Sequence, residues 1–389
     1  MSYDFETLNK KRAGNSAKWD VKEDELPMTI ADMDFKVAPE IIQALQDKIA
    51  MGLFGYEEIP TEYFKAVADW YEIEHHTRPQ EDWMIFATGV VPAISSAVRR
   101  LTSLGDNVLV QAPVYNIFYN SIVNNGRHVV SNDLDYDAKL REYTINFKDL
   151  EEKLSDPLTN MMILCNPHNP VGKIWTRDEL TKIAALCKKY NVKLFSDEIH
   201  GDITFNKEGY NPVFGLDQEY LDNVVVAVSP SKTFNVAAMH AATIIVPNAN
   251  LRGQVSRGLN SEELAEPNFA AIPGTITAYT KGHDWLKALK QQLLENRQMI
   301  LNFVQDNVPD IKWVPGEATY LLWFDVSKLT DDATKLSEFI RQDTGLIVTP
   351  GSVYGGDGQH FIRMNIASPK EMISDGLNRL QKAITDYQK

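Results

Sequence analysis

A chain of 389 residues, 44% apolar and 24% charged, is long enough to bury a large core and leaves little room for extended disorder. Its 39 basic and 53 acidic side chains give a formal net charge of −14, a field that repels nucleic-acid backbones and anionic membranes alike. The two cysteines, Cys165 and Cys187, are too few for a disulfide framework or a cysteine-rich zinc site, which suits a reducing compartment.

The first residues, Met-Ser-Tyr-Asp-Phe-Glu, contain neither a basic nor an apolar signal region, and no stretch approaches ~18 uninterrupted apolar residues. A cytoplasmic protein is expected, with two domains. Residues 1–38 read as an arm that packs elsewhere and joins the smaller domain, its apolar piece running from Leu26 to Phe35. Asp32 and Asp34 lack a third oxygen ligand or a nearby histidine, so they read as a turn or helix start rather than a metal pair. Ile41, Ile42, Leu45 and Ile49 then fall at helical spacing behind Pro39, which suits a first turn.

From Met84 onward seven apolar runs, at 84–87, 107–111, 127–130, 160–164, 192–195, 224–228 and 242–246, alternate with helix-length segments at 91–103, 115–124, 147–154 and 176–190. Crossovers of that length connect parallel neighbours, so the pattern predicts an α/β fold with a mostly parallel seven-stranded sheet and ligands at its carboxyl edge. After residue 282 a long helix runs through Asn302, followed by strands near 311–314 and 320–325 and helices at 334–343 and 369–387. The expected division is an arm over 1–38, a large domain over 39–282 and a small α+β domain over 283–389.

Chemistry-bearing residues follow the strands. After the first run comes Ala87-Thr-Gly-Val-Val-Pro, where Gly89 lets backbone amides approach an anion at a helix start, although many α/β turns contain one such glycine. Gly172-Lys173 is no nucleotide loop, because Pro167 stands where a glycine is required. Two Asn-Pro pairs in Asn166-Pro-His-Asn-Pro-Val-Gly172 make a rigid turn that aims the Asn169 amide into a cleft or onto its own backbone. Asp197 ends a strand too apolar for a lone carboxylate, so it needs a cationic partner, and a protonated pyridine nitrogen would serve. His200, three residues on, either touches the same ligand or is a satisfied core histidine. Finally, Val224 to Val228 delivers Ser229-Pro-Ser-Lys232, and a lysine held among apolar and cationic groups loses its proton readily and can form a Schiff base. The alternative is a solvated surface lysine.

Each follows a predicted strand, so all are expected to converge on one edge of one sheet, and their order is informative. With Ala-Asp-Met-Asp-Phe (31–35), Phe-Gly-Tyr (54–56), Gly-Val-Val-Pro-Ala-Ile (89–94), Asn-Pro-His-Asn-Pro-Val-Gly (166–172), Ser-Asp-Glu-Ile-His (196–200), Ser-Pro-Ser-Lys-Thr-Phe-Asn (229–235) and Phe-Ile-Arg-Met-Asn-Ile (361–366), the chain resembles the fold type I pyridoxal 5′-phosphate enzymes. Within them it resembles the MalY/PatB branch of the class I/II aminotransferase family, the cystathionine or cysteine-S-conjugate β-lyases.

The resemblance implies that Lys232 carries the cofactor as a Schiff base and moves the Cα proton, that Asp197 pairs with the pyridine nitrogen and that Asn169 bonds the ring oxygen. It implies that Tyr115 stacks on the ring and that Val90, Val91, Ser229, Ser231 and a partner-supplied Tyr56 hold the phosphate of a homodimer with shared sites. Arg363 would clamp the substrate carboxylate as a bidentate fork. His240 and Thr29 depart from the branch pattern near the phosphate and at the substrate-facing wall, and Tyr354 stands where a phenylalanine is usual. The implied reaction is β-elimination from a small-molecule cysteine S-conjugate, with amino-acid transamination as the alternative and a regulatory binding protein as a third reading.

Overall fold

The computed structural model describes residues 3–9 and 14–389; the rest of the 1–38 arm lies outside the described residues. Every one of the seven apolar runs forms a strand, within two residues of its expected ends: β1 Met84–Ala87, β2 Asn107–Val110, β3 His128–Ser131, β4 Thr159–Cys165, β5 Lys193–Asp197, β6 Val224–Val228 and β7 Ala242–Ile245. They assemble in the order β1-β7-β6-β5-β4-β2-β3. Four of the six pairings are parallel, and β7 alone runs antiparallel to both its neighbours. Interior β6 is buried along its whole length, which is why it reads as an uninterrupted Val/Ala run rather than an alternating one.

The four expected crossover helices are present as Val90–Leu101, Ile117–Val123, Phe147–Leu154 and Arg177–Lys189. The last begins in a capping box: Glu179 N–H donates to Thr176 Oγ1 at 3.2 Å and Thr176 N–H to Glu179 Oε2 at 2.8 Å. Three further helices, Thr61–His75, Ala249–Ser261 and Ala271–Lys281, lack a clear sequence signal. The first is crowded with aromatic and β-branched residues, and the others contain Gly253, Gly258, Pro273 and Gly274, so packing overrides weak propensity.

The 25-residue helix His283–Asn307 leads into a second sheet of β8 Lys312–Trp313, β9 Leu321–Asp325, β10 Thr349–Pro350 and β11 Phe361–Asn365. Its order is β8-β9-β11-β10 and all its pairings are antiparallel. Helices Ala333–Thr344 and Lys370–Tyr387 accompany it.

The arm closes the fold. Leu26–Pro27 pairs in parallel with Leu346–Ile347, and Asp34 receives Lys18 Nζ at 2.7 Å, Trp19 Nε1 at 2.8 Å and Ser368 Oγ at 2.6 Å. Burial alone would raise the Asp34 pKa, but the Lys18 ammonium together with the Ser368 and Trp19 hydrogen bonds outweighs it and holds the group below the usual carboxylate range. No helix among the described residues is long and apolar enough to cross a membrane.

Candidate active site

Lys232 lies in the single helical turn Pro230–Thr233 that follows β6, with Ser229 as its cap. Its Nζ donates to the Ala31 carbonyl at 2.7 Å, a partner 201 residues away. That carbonyl also accepts from Tyr320 Oη at 3.1 Å. The 30–35 segment is itself clamped: Asn235 Nδ2 donates to the Met33 and Phe35 carbonyls, and Asn365 Nδ2 to those of Ile30 and Asp32. Burial pushes the Lys232 pKa below the ordinary lysine range and Arg363 adds to it, while Asp32 and Asp197 pull the other way.

The residue after Lys232 is anchored as well. Thr233 Oγ1 donates to Asp202 Oδ2 at 2.5 Å, and Asp202 Oδ1 is bound by Trp70 Nε1 at 2.9 Å and by His75 Nε2 at 2.7 Å. Asp202 carries no separate motif signal, although it stands only five residues beyond Asp197.

At the end of β5, Asp197 is 4% exposed and accepts the Ile199 N–H at 3.1 Å. Burial raises its pKa to about 7. His200 is buried too, with Nδ1 unpartnered, and burial followed by the charges of Lys232 and Arg363 lowers its pKa to about 3, leaving a neutral ring. Tyr115 is half-buried, its pKa pushed up to about 12 by burial and then by Asp197.

Arg363 on β11 donates from Nη1 to Asn169 Oδ1 at 3.0 Å, and its guanidinium lies 4.9 Å from the centre of the Tyr354 ring. Among the described residues, buried Arg363 Nε has no hydrogen-bond partner. Because Asn169 accepts through Oδ1, its Nδ2 is the end available to a ligand oxygen, so the amide is not spent on its own turn. The loop is fixed beneath: Asn169 N–H donates to Cys165 Sγ at 3.4 Å, and His168 Nε2 bonds the Pro113 carbonyl at 2.9 Å. Cys165 and His168 are thus both engaged with backbone.

Val90 and Val91 open the helix after β1, and Gly89 before them has φ 154° and ψ 161°, a conformation available essentially to glycine alone. A Cβ there would sit 3.3 Å from Pro92 Cδ. Ser229 Oγ donates to the Ala241 carbonyl at 2.7 Å and lies 2.8 Å from Ser231 Oγ. Next to Ala241, His240 is exposed, with φ 49°. Tyr56 is fully exposed on its own chain.

A seven-stranded, mostly parallel sheet that brings an amine, a buried carboxylate and a glycine-led helix start to one edge is the architecture of the fold type I pyridoxal 5′-phosphate enzymes. The chain belongs to the aminotransferase class I and II family, whose profile matches residues 23–380. It is 35% identical to cystathionine beta-lyase PatB of Bacillus subtilis, over 98% of this chain and 100% of that one. It is 31% identical to protein MalY of Escherichia coli, over 98% and 99% respectively. Among solved structures, cystalysin from Treponema denticola, which contains a pyridoxal 5′-phosphate cofactor, superposes with a TM-score of 0.94 at 32% identity, covering 99% of this chain and 100% of that one.

The residues present fit that cofactor. A buried carboxylate with one backbone donor calls for a cation such as a protonated ring nitrogen, and His200 Nδ1 and Arg363 Nε are buried polar atoms awaiting partners. The Asp197 pKa makes this testable without turnover. Its folded value of about 7 lies above the ordinary 3.8, so its contribution to stability is present below the unfolded pKa and lost as pH rises through about 7. In cofactor-free protein, Asp197→Asn is expected to melt near the wild-type temperature at pH 4 and above it at pH 8. A gap that does not change with pH contradicts the buried-carboxylate account.

Proposed function

We propose that the protein is a pyridoxal 5′-phosphate-dependent carbon-sulfur β-lyase that cleaves L-cystathionine or a related cysteine S-conjugate to a thiol, pyruvate and ammonia. The single observation that carries the reading is the meeting of Lys232, Asp197, Asn169 and Arg363 at one sheet edge. Similarity over nearly the whole length to a cystathionine beta-lyase supports the substrate class.

Asp197 would hold the proton on the cofactor's ring nitrogen, and Asn169 Nδ2 would donate to the ring oxygen. Tyr115 would cover one ring face. The Val90 and Val91 amides, with Ser229 and Ser231, would bind the phosphate in a helix-start cradle. Bound there, the cofactor supplies an electron sink for the pair released at the substrate's Cα. Arg363 fixes the α-carboxylate through Nη and Nε donors. Lys232 Nζ, its pKa lowered by burial, takes the Cα proton, after which the thiolate leaves from Cβ and water hydrolyses the released three-carbon enamine to pyruvate and ammonia. His200 is a neutral neighbour of the ring rather than an acid or base.

A division into an arm over 1–38, a large domain over 39–282 and a small domain over 283–389 would set this chemistry between the two sheets. The working unit is a homodimer. Tyr56 shares its exposed stretch with Met51, Leu53 and Phe54, which are 62%, 70% and 59% exposed, and Phe54 packs edge-on against Phe269 at 5.7 Å. An apolar surface of this kind suits a second copy, whose cofactor phosphate Tyr56 would reach. The setting is cytoplasmic.

The deciding test is incubation of the purified protein with L-cystathionine and no keto acid, followed by pyruvate assay. Pyruvate is expected at a rate proportional to enzyme. Product that forms only when a keto acid is added would replace the lyase by an aminotransferase.

A further inference from the structure

Resting on the reading of Arg363 as the carboxylate clamp, we propose that Tyr143 and Tyr119 are positioning residues that latch the Gly351–Tyr354 turn and the glycines after it, so that the seven-stranded half of the molecule sets the geometry of Arg363. Tyr354 provides the surface on which the guanidinium rests. Its ring is buried, and its backbone carbonyl accepts from both the Val114 N–H at 2.9 Å and Tyr119 Oη at 2.7 Å. Those two donors flank Tyr115, so one short segment serves the cofactor face and the carboxylate clamp together.

The next residues press onto the same segment. Gly355 and Gly356 have φ of 74° and 57°; a Cβ would lie 2.6 Å from Tyr119 Oη at the first and 3.0 Å from Pro113 N at the second. Only glycine allows this approach. The second fastening follows at once. Asp357 Oδ1 and Oδ2 lie 3.0 and 3.1 Å from Tyr143 Oη, and Tyr143 is 1% exposed. Trp323 Nε1 donates to the same hydroxyl at 3.3 Å. Tyr143 belongs to the strand Glu142–Thr144, paired with Asp135–Asp137 in a ribbon outside both main sheets. A buried tyrosine hydroxyl spent on a carboxylate from the turn that carries Tyr354 joins this ribbon to the clamp.

The test titrates the holoenzyme with L-alanine and with ethylamine, which share an amine and differ in the carboxylate, following visible absorption. Tyr143→Phe, Asp357→Asn and Tyr119→Phe are each expected to weaken L-alanine about fivefold, the factor one net hydrogen bond is worth, and to leave ethylamine unchanged. The kcat for elimination is expected to stay within about twofold of wild type while KM rises, the mark of lost ground-state positioning. Arg363→Ala serves as the control. If it loses L-alanine selectively and the latch variants bind as wild type does, the latch is wrong and the clamp stands. Equal weakening of both ligands in the latch variants also overturns the latch, because it reveals a general structural role. If Arg363→Ala keeps its affinity for L-alanine, the clamp reading fails and the latch with it.

Discussion

Lys232→Ala is expected to lower kcat for elimination by about 10³-fold or more, the range that a positioned proton-transfer group supplies. Among the described residues its Nζ makes one hydrogen bond, to the Ala31 carbonyl, so the stability cost of the change is only about 1 kcal/mol. Lys232→Arg sharpens the test. A guanidinium keeps the positive charge and the reach but does not deprotonate near neutral pH, so it cannot take the Cα proton. Both variants are expected to be inactive in the pyruvate assay with melting temperatures close to wild type. Turnover by Lys232→Arg at more than a few percent of the wild-type rate would remove Lys232 from proton transfer.

The second large effect belongs to Arg363. Two charge-assisted hydrogen bonds to a carboxylate contribute roughly 1.5–3 kcal/mol each, so Arg363→Ala is expected to lower kcat/KM by about 10²-fold or more. The loss should fall mainly on KM, since the carboxylate is held in substrate and transition state alike. Arg363→Lys should recover little of it. Lysine offers a point charge where the site presents a planar fork resting on the Tyr354 ring and bonded to Asn169. A lysine variant with wild-type KM would show that charge alone is read there.

Tyr354 illustrates how a local departure acquires meaning. In sequence it is a tyrosine where a phenylalanine is usual, next to two glycines. In the fold the ring supports Arg363 and the carbonyl takes two donors from the segment around Tyr115. Asp202 was invisible for the same reason. Its partners Trp70, His75 and Thr233 lie 132, 127 and 31 residues away, and no local pattern announces a contact of that range.

The helices followed the same rule. Phe147–Leu154 and Arg177–Lys189 have clean amphipathic spacing and were legible, whereas Ala271–Lys281 carries Pro273 and Gly274 and was not. β11 reads as a motif rather than a strand, because Arg363 and Asn365 interrupt its apolar run although all five residues are buried. Its membership in a sheet is decided by the neighbours that bury it.

The sequence by itself determined the seven-stranded α/β architecture and the order of residues at strand ends, because strand periodicity and turn chemistry are local and a parallel sheet carries every strand end to one edge. Only the tertiary structure decided what those residues meet there: Lys232 with the Ala31 carbonyl of the arm, Arg363 with Asn169, and the Tyr354 turn with Tyr119 and Tyr143. Those partners lie between 194 and 235 residues apart, so each is chosen by how the two sheets and the arm pack.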